Sequence, residues 1–139
     1  MLPEIWGKPG WKSFHYILEE YPVDPTEEDQ ATYYKYIHSL AAVLPCKKCQ
    51  RHMKEHLKEY PLTPDVLSSK DSLVKWGIDF HNSVNHFTGK PMMSHDEAIC
   101  EIRNNFKGSS NLLQMFIFTI FVIIIILLIY FLFRKTRKN

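Results

Sequence analysis

From Leu112 to Phe133 the chain runs 22 residues without a charged side chain, and only Gln114 and Thr119 are polar. As a helix this tract reaches roughly 33 Å, enough for a hydrocarbon core of about 30 Å. About 105 residues are too few to wrap a helix that is apolar on every side, so the tract reads as a membrane span rather than a core helix. The mean hydropathy of the whole chain is nevertheless negative. The remainder is therefore polar enough to fold in water and can bury one modest core. The organisation expected is one domain over residues 1–106, a short joint over 107–111 around Gly108-Ser109-Ser110, a transmembrane helix over 112–133 and a basic tail over 134–139.

Met1 to Gly10 holds Glu4, two prolines and two glycines, which is no secretory leader. The expectation is a C-terminally anchored, single-pass membrane protein with its domain on the cytosolic side. The tail cations Arg134, Lys135, Arg137 and Lys138 pull the other way, since basic flanks prefer the cytosol. They carry most of the surplus behind a net charge of +2. Such a tail suits anionic headgroups, and nothing supports nucleic-acid binding. Three cysteines are too few for a secreted disulfide scaffold.

Apolar spacing predicts five helices and no strands. The first spans about Gly10 to Glu20, with Trp11, Phe14, His15 and Leu18 on one face. Thr26 caps the second, whose first turn carries Glu27, Glu28 and Asp29 and which buries Tyr33, Ile37, Leu40 and Ala41. Pro45 opens the third, which runs to about Tyr60. The fourth covers about Ser69 to Phe87 and stops at Thr88-Gly89-Lys90-Pro91. A short fifth covers about Ser94 to Asn105. The fold class expected is all-α, an antiparallel four-helix bundle plus a short fifth helix, followed by one C-terminal transmembrane helix. Lack of strands excludes a thioredoxin framework, and lack of Gly-x-Gly-x-x-Gly excludes a Rossmann domain.

The chemistry concentrates in Cys46-Lys47-Lys48-Cys49. Two thiols at this spacing cycle between dithiol and disulfide, and at a helix N-terminus the dipole favours the thiolate. Cys46 is the outer thiol, placed for exchange; Cys49 lies one turn further in, towards a buried acceptor. Zinc is the competing reading. Cys46, Cys49, His52 and His56 would all lie on one helix, with the ends about 15 Å apart. One helix could then give only two ligands, with others from His86 or His95. Cys100 stands alone, as a core residue, a partner for another chain or a relay thiol. One helix further on, His81-Asn82-Ser83-Val84-Asn85 stacks His and Asn side chains along one stripe, and Trp11 and His15 form the same i, i+4 pair. Buried polar groups so placed need partners, which a planar organic cofactor would supply.

Trp11-x-x-x-His15, Pro45-Cys46-Lys47-Lys48-Cys49, Trp76, His81-Asn82-Ser83-Val84-Asn85 and Gly89-Lys90-Pro91 together resemble the flavin-linked sulfhydryl oxidases of the Erv/ALR family. The resemblance covers about Glu4 to Arg103 and is nearest to the versions found in large cytoplasmic DNA viruses, which would place the anchor in a host-cell or virion membrane. It implies a helical bundle binding FAD, with Cys46 meeting the substrate and Cys49 beside the flavin. Cofactor contacts are implied for Gly7, Trp11, His15, His52, His81, Asn82, Val84, Asn85 and Lys90. The implied activity passes electrons from protein dithiols through Cys46-Cys49 and FAD to O2, giving H2O2. Implied partners are protein dithiol substrates, a thioredoxin-like relay protein among them, and a second copy in a homodimer. The alternative is a membrane-anchored helical zinc-binding or interaction module without activity. Cellular members of the family carry a structural Cys-x16-Cys clamp where this chain has Ile78 and His95, so the fifth helix is expected to rest on packing alone.

Overall fold

A computed structural model describes residues 2–136, with the side chains of 106–112, 131–132 and 135–136 outside the described set. Arg137 and Lys138 of the expected tail lie outside it too. The elements are α1 (Pro3–Glu19), α2 (Glu27–Val43), α3 (Lys47–Glu59), a single 3-10 turn (Val66–Ser68), α4 (Lys70–Phe87) and α5 (His95–Thr136). Among the described residues there is no strand, as the apolar spacing predicts. Two compact units divide the chain, Met1–Ile102 and Arg103–Asn139.

The helix ends follow from capping chemistry. Thr26 Oγ1 accepts from the Asp29 N–H at 3.2 Å, and the Asp29 carboxylate accepts from the Thr26 N–H at 2.9 Å. This reciprocal box satisfies two donors that a helix start leaves open. Ser69 caps α4 by accepting from the Ser72 N–H. Gly89 ends α4 at φ +68°, a left-handed conformation that side chains resist. The turn it permits sends the Gly89 N–H to the His86 carbonyl and the Lys90 N–H to the Asn85 carbonyl, at 3.1 and 2.8 Å.

Three expected boundaries differ. Helix α1 begins at Pro3, not near Gly10. Pro3 suits a first helical position, and the Trp6 ring lies against Gly10, where an added Cβ would sit 3.2 Å from it. Pro9 removes one backbone donor without ending the helix. Helix α3 begins at Lys47, so Pro45 lies outside it and Cys46 is the cap. Proline instead holds Leu44 extended, at ψ 139°. In α5 the backbone stays helical through 107–111, where a joint was expected. Glycine and serine cost at most about 1 kcal/mol each inside a helix, too little to stop one already propagating.

The core of the first unit joins Phe14, Leu18, Tyr21, Ile37, Leu73 and Phe80, among others. Each such side chain contributes about 1.5–3 kcal/mol by leaving water. Helix α1 packs on α4, α2 on α3, and α3 on α4. Contacts run Trp11 to His81, Phe14 to Trp76 and Phe80, and Leu18 to Gly77. They also run His52 to Phe87 and His56 to Phe80. Position numbers rise on α1 and α3 as they fall on α4, so both helices are antiparallel to it. The N-terminal ends of α1 and α3 therefore share one end of the bundle with the C-terminal end of α4. At the other end the Tyr21 hydroxyl donates to the Leu67 carbonyl at 2.7 Å.

The start of α5 does not rest on packing alone. Ala98 and Ile102 are buried. In addition, His95 Nε2 meets the Asp79 carboxylate at 2.7 Å, and the Asn82 amide brackets the Met93 backbone. In the second unit, Leu113–Tyr130 is long and apolar enough to cross a membrane, and none of its residues is buried. Its Thr119 hydroxyl donates to the Met115 carbonyl, which satisfies that polar group within the helix.

Candidate redox-active site

Cys46 and Cys49 form a disulfide with their Cα atoms 5.1 Å apart. Cys46 caps α3, and its Sγ accepts from the Cys49 N–H at 3.2 Å. A sulfur in that place receives the open donors and positive dipole end of the helix, which stabilise a thiolate when the bond opens. Lys47 and Lys48 follow at once. Both cysteines are half-buried, so neither sulfur is sealed in the core.

Three aromatic rings meet between α1 and α4. Trp11 stacks on His81 with centroids 3.9 Å apart and planes 12° from parallel. His15 Nε2 and His81 Nδ1 share a hydrogen bond of 2.9 Å. Burial pushes the His15 imidazole down to about 4. His81 is pushed down to about 4, first by burial, then by the neighbouring His15, then by the Lys90 ammonium. At neutral pH both rings are uncharged, so one nitrogen of the pair donates and the other accepts.

The C-terminal turn of α4 gathers more of the expected residues. Lys90 lies over Asn85 through its backbone hydrogen bond and close enough to His81 to act on its charge. His81, Asn82, Ser83, Val84 and Asn85 are all half-buried, a run that remains reachable from outside. His52, one turn beyond Cys49 on α3, reaches the same end of α4, with its ring 4.8 Å from that of Phe87. Gly7 faces open space, and a Cβ added there would meet nothing within 4 Å.

Asn82 is turned elsewhere. Its Nδ2 donates to the Met93 carbonyl at 2.8 Å and its Oδ1 accepts from the Met93 N–H at 3.1 Å. It pins the segment after α4 rather than joining the Trp11–His15–His81 group. That segment also borders a cleft of about 770 Å³, lined by His56, Tyr60, Trp76, Ser83 and Met92 among others. The cleft does not include Cys46, Cys49, Trp11, His15 or His81. Among the described residues, no group of three or more His, Cys, Asp or Glu side chains is gathered as a metal site.

Sequence reasoning missed Trp6 and the contact between His56 and Ser83. Trp6 holds a buried indole N–H without a hydrogen-bond partner. Buried His56 meets the Ser83 hydroxyl at 3.1 Å, and that hydroxyl donates to the Phe80 carbonyl. The sequence reading of His81-Asn82-Ser83-Val84-Asn85 gives Ser83 no role. The contact joins α3 to α4, and spacing on one helix cannot reveal it.

The model of the Erv1 / Alr family matches residues 8–107. Over 99 residues the chain is 52% identical to a protein of Acanthamoeba polyphaga mimivirus named "Probable FAD-linked sulfhydryl oxidase", a match covering 71% of this chain and 69% of that one. It is 32% identical over 84 residues to an FAD-linked sulfhydryl oxidase of Saccharomyces cerevisiae, covering 60% of this chain and 41% of that protein. The solved FAD-binding domain of Erv1 from Saccharomyces cerevisiae shares its fold at a TM-score of 0.64 and 23% identity, over 69% of this chain and 89% of that one. The family match spans both the Cys46–Cys49 pair and the ring cluster of α1 and α4, and on that extent the chain belongs to the Erv1/Alr family.

Proposed function

We propose that this chain is an FAD-dependent thiol oxidase that forms disulfide bonds in protein substrates, with Cys46–Cys49 as its working pair. The observation that supports the reading is the disulfide at the cap of α3, a helix that packs against the same α4 whose His81 stacks on Trp11. The residues present fit the cofactor. Gly7 leaves its backbone bare where no neighbour within the chain requires it. The His15–His81 pair offers hydrogen bonds without charge. Trp11, His15, His52, His81, Val84, Asn85 and Lys90 would hold the cofactor, and the Gly7 backbone would approach it. Asn82 would serve by holding Met93. Bound FAD would supply a two-electron acceptor that O2 reoxidises, with release of H2O2.

The protein's own steps follow from thiol chemistry. A substrate thiolate attacks Cys46 Sγ; a mixed disulfide forms as the Cys46–Cys49 bond breaks, and Cys49 leaves as a thiolate. The second substrate thiolate attacks the substrate sulfur of the mixed disulfide and releases Cys46. The substrate leaves as a disulfide, having given two electrons to the pair and two protons to solvent. The Cys49 N–H, the α3 dipole and the two lysines favour thiolates here. Over a full cycle two thiols and O2 become one disulfide and H2O2. The Leu113–Tyr130 helix would anchor this activity at a membrane. A homodimer, and a thioredoxin-like relay protein among the substrates, complete the proposal.

The test uses the full chain purified in detergent. It should be yellow and should consume O2 with dithiothreitol. Cys49→Ser should abolish turnover with FAD retained, and Cys46→Ser should block substrate oxidation. A colourless protein with stoichiometric zinc, or full activity in both variants, would overturn the reading.

A further inference from the structure

The outer face of α3 carries an unpaired cationic stripe. Lys47, Arg51, Lys54 and Lys58 recur at intervals of four, three and four and are all exposed. At 3.6 residues per turn they fall within an arc of about 60° and extend about 16 Å along the helix. Met53, His56 and Leu57, on the opposite side, are buried. Among the described residues, none of the four cations has a carboxylate within ion-pairing distance, whereas Lys75 pairs with Asp71 and His95 with Asp79. Glu55 and Glu59 sit off the stripe, along one edge.

The stripe stands out against its surroundings. All fifteen acidic side chains of the protein lie in the unit Met1–Ile102. Six of the seventeen cations (Arg103, Lys107, Arg134, Lys135, Arg137 and Lys138) lie beyond it, which leaves eleven and a net charge of −4. With Lys48, five of those eleven fall on α3. An acidic unit thus gathers nearly half of its positive charge on one helix, and Cys46 is that helix's cap.

We infer that this face of α3 is a docking surface for acidic protein partners, and that it delivers acidic dithiols to the Cys46–Cys49 disulfide. The inference rests on the thiol-oxidase reading and names the class of substrate. Charge complementarity selects the occupant. A partner with carboxylates flanking its dithiol meets the stripe along α3 while its sulfur reaches the cap. A basic partner meets the same cations as repulsion. Interactions of this kind act mainly on the rate of encounter, by factors of about 10 to 1,000, and they fade as salt shortens the Debye length.

The experiment compares two synthetic Cys-x-x-Cys dithiol peptides, one flanked by four Glu and one by four Lys, with uncharged dithiothreitol as reference. O2 uptake by the full chain in a zwitterionic detergent gives kcat/KM for each. The acidic peptide should lead by about tenfold at low ionic strength, and the lead should collapse in about 0.5 M salt. The triple variant Arg51→Glu, Lys54→Glu, Lys58→Glu should reverse the preference; the corresponding Gln variant should remove it. Both should oxidise dithiothreitol like the wild type. Equal rates for the two peptides at low salt, or a preference that survives the triple variant, would overturn the inference. It would equally fall if the nanodisc-held protein bound phosphatidylserine vesicles through these residues without any peptide preference. Absence of O2 uptake with dithiothreitol would instead sink the oxidase reading itself.

Discussion

Acid should weaken the bundle through His15 and His81. In the unfolded chain both imidazoles titrate near 6.5; folded, both lie at about 4. Between those values the unfolded chain binds more protons, so stability falls as pH falls. The contribution is fully present above pH 6.5, declines towards pH 4 and levels off below. For one imidazole this displacement is worth about 3 kcal/mol. His15 is buried and carries that amount. His81 is half-buried, and water screens part of its share, so about 3–5 kcal/mol is expected for the pair. The cause is mechanical as well as electrostatic. A first proton places a charge against the Trp11 face between two packed helices, and a second would face it across the 2.9 Å contact. Urea unfolding of the full chain in detergent, followed by far-UV circular dichroism from pH 7.5 to 4, measures the loss. The double variant His15→Gln, His81→Gln keeps the carboxylates and the other histidines, so it supplies the background slope. The wild type should lose about 3–5 kcal/mol more than the variant over this range. Parallel slopes would refute the buried neutral pair.

Two glycines of the same helix pair should respond in opposite ways. Gly7→Ala meets no neighbour and should leave stability unchanged or raise it by up to about 1 kcal/mol, yet lower FAD affinity, measured by flavin fluorescence titration. Gly77→Ala drives a Cβ into the Leu18 side chain at the crossing of α1 and α4. It should cost about 1–2 kcal/mol, read as a lower unfolding midpoint. Gly89→Ala forces a side chain to φ +68° at a cost of about 1–2 kcal/mol, and it should weaken cofactor binding by loosening Lys90 from Asn85.

Local chemistry made much of the fold legible. Thr26, Ser69 and Gly89 mark their helix ends because each cap is a contact between residues a few positions apart. The start of α1 was not legible, because Gly7, Pro9 and Gly10 are poor helix formers taken singly, and the packing of Trp6 on Gly10 shows only in the fold. The continuity of α5 through Gly108 was hidden for the same reason. At the site, Trp11–His15 and His81–Asn85 were visible as helical stripes. The stacking of Trp11 on His81 was not, because it depends on how α1 crosses α4. Asn82 shows the limit most clearly. Its position in the motif suggested a cofactor contact, while its amide is committed to the Met93 backbone eleven residues on.

The Cys46–Cys49 bond closes a ring of three residues' separation, and with Cys100 these are all the cysteines of the chain. So short a ring removes little freedom from the unfolded polypeptide. Breaking it therefore releases almost no conformational constraint, and the segment after α4 is fastened by Asn82 and by the Asp79–His95 contact, which reductant leaves intact. The scaffold should stay equally rigid in both oxidation states, so each catalytic cycle can make and break a covalent bond without tugging on the architecture that holds it.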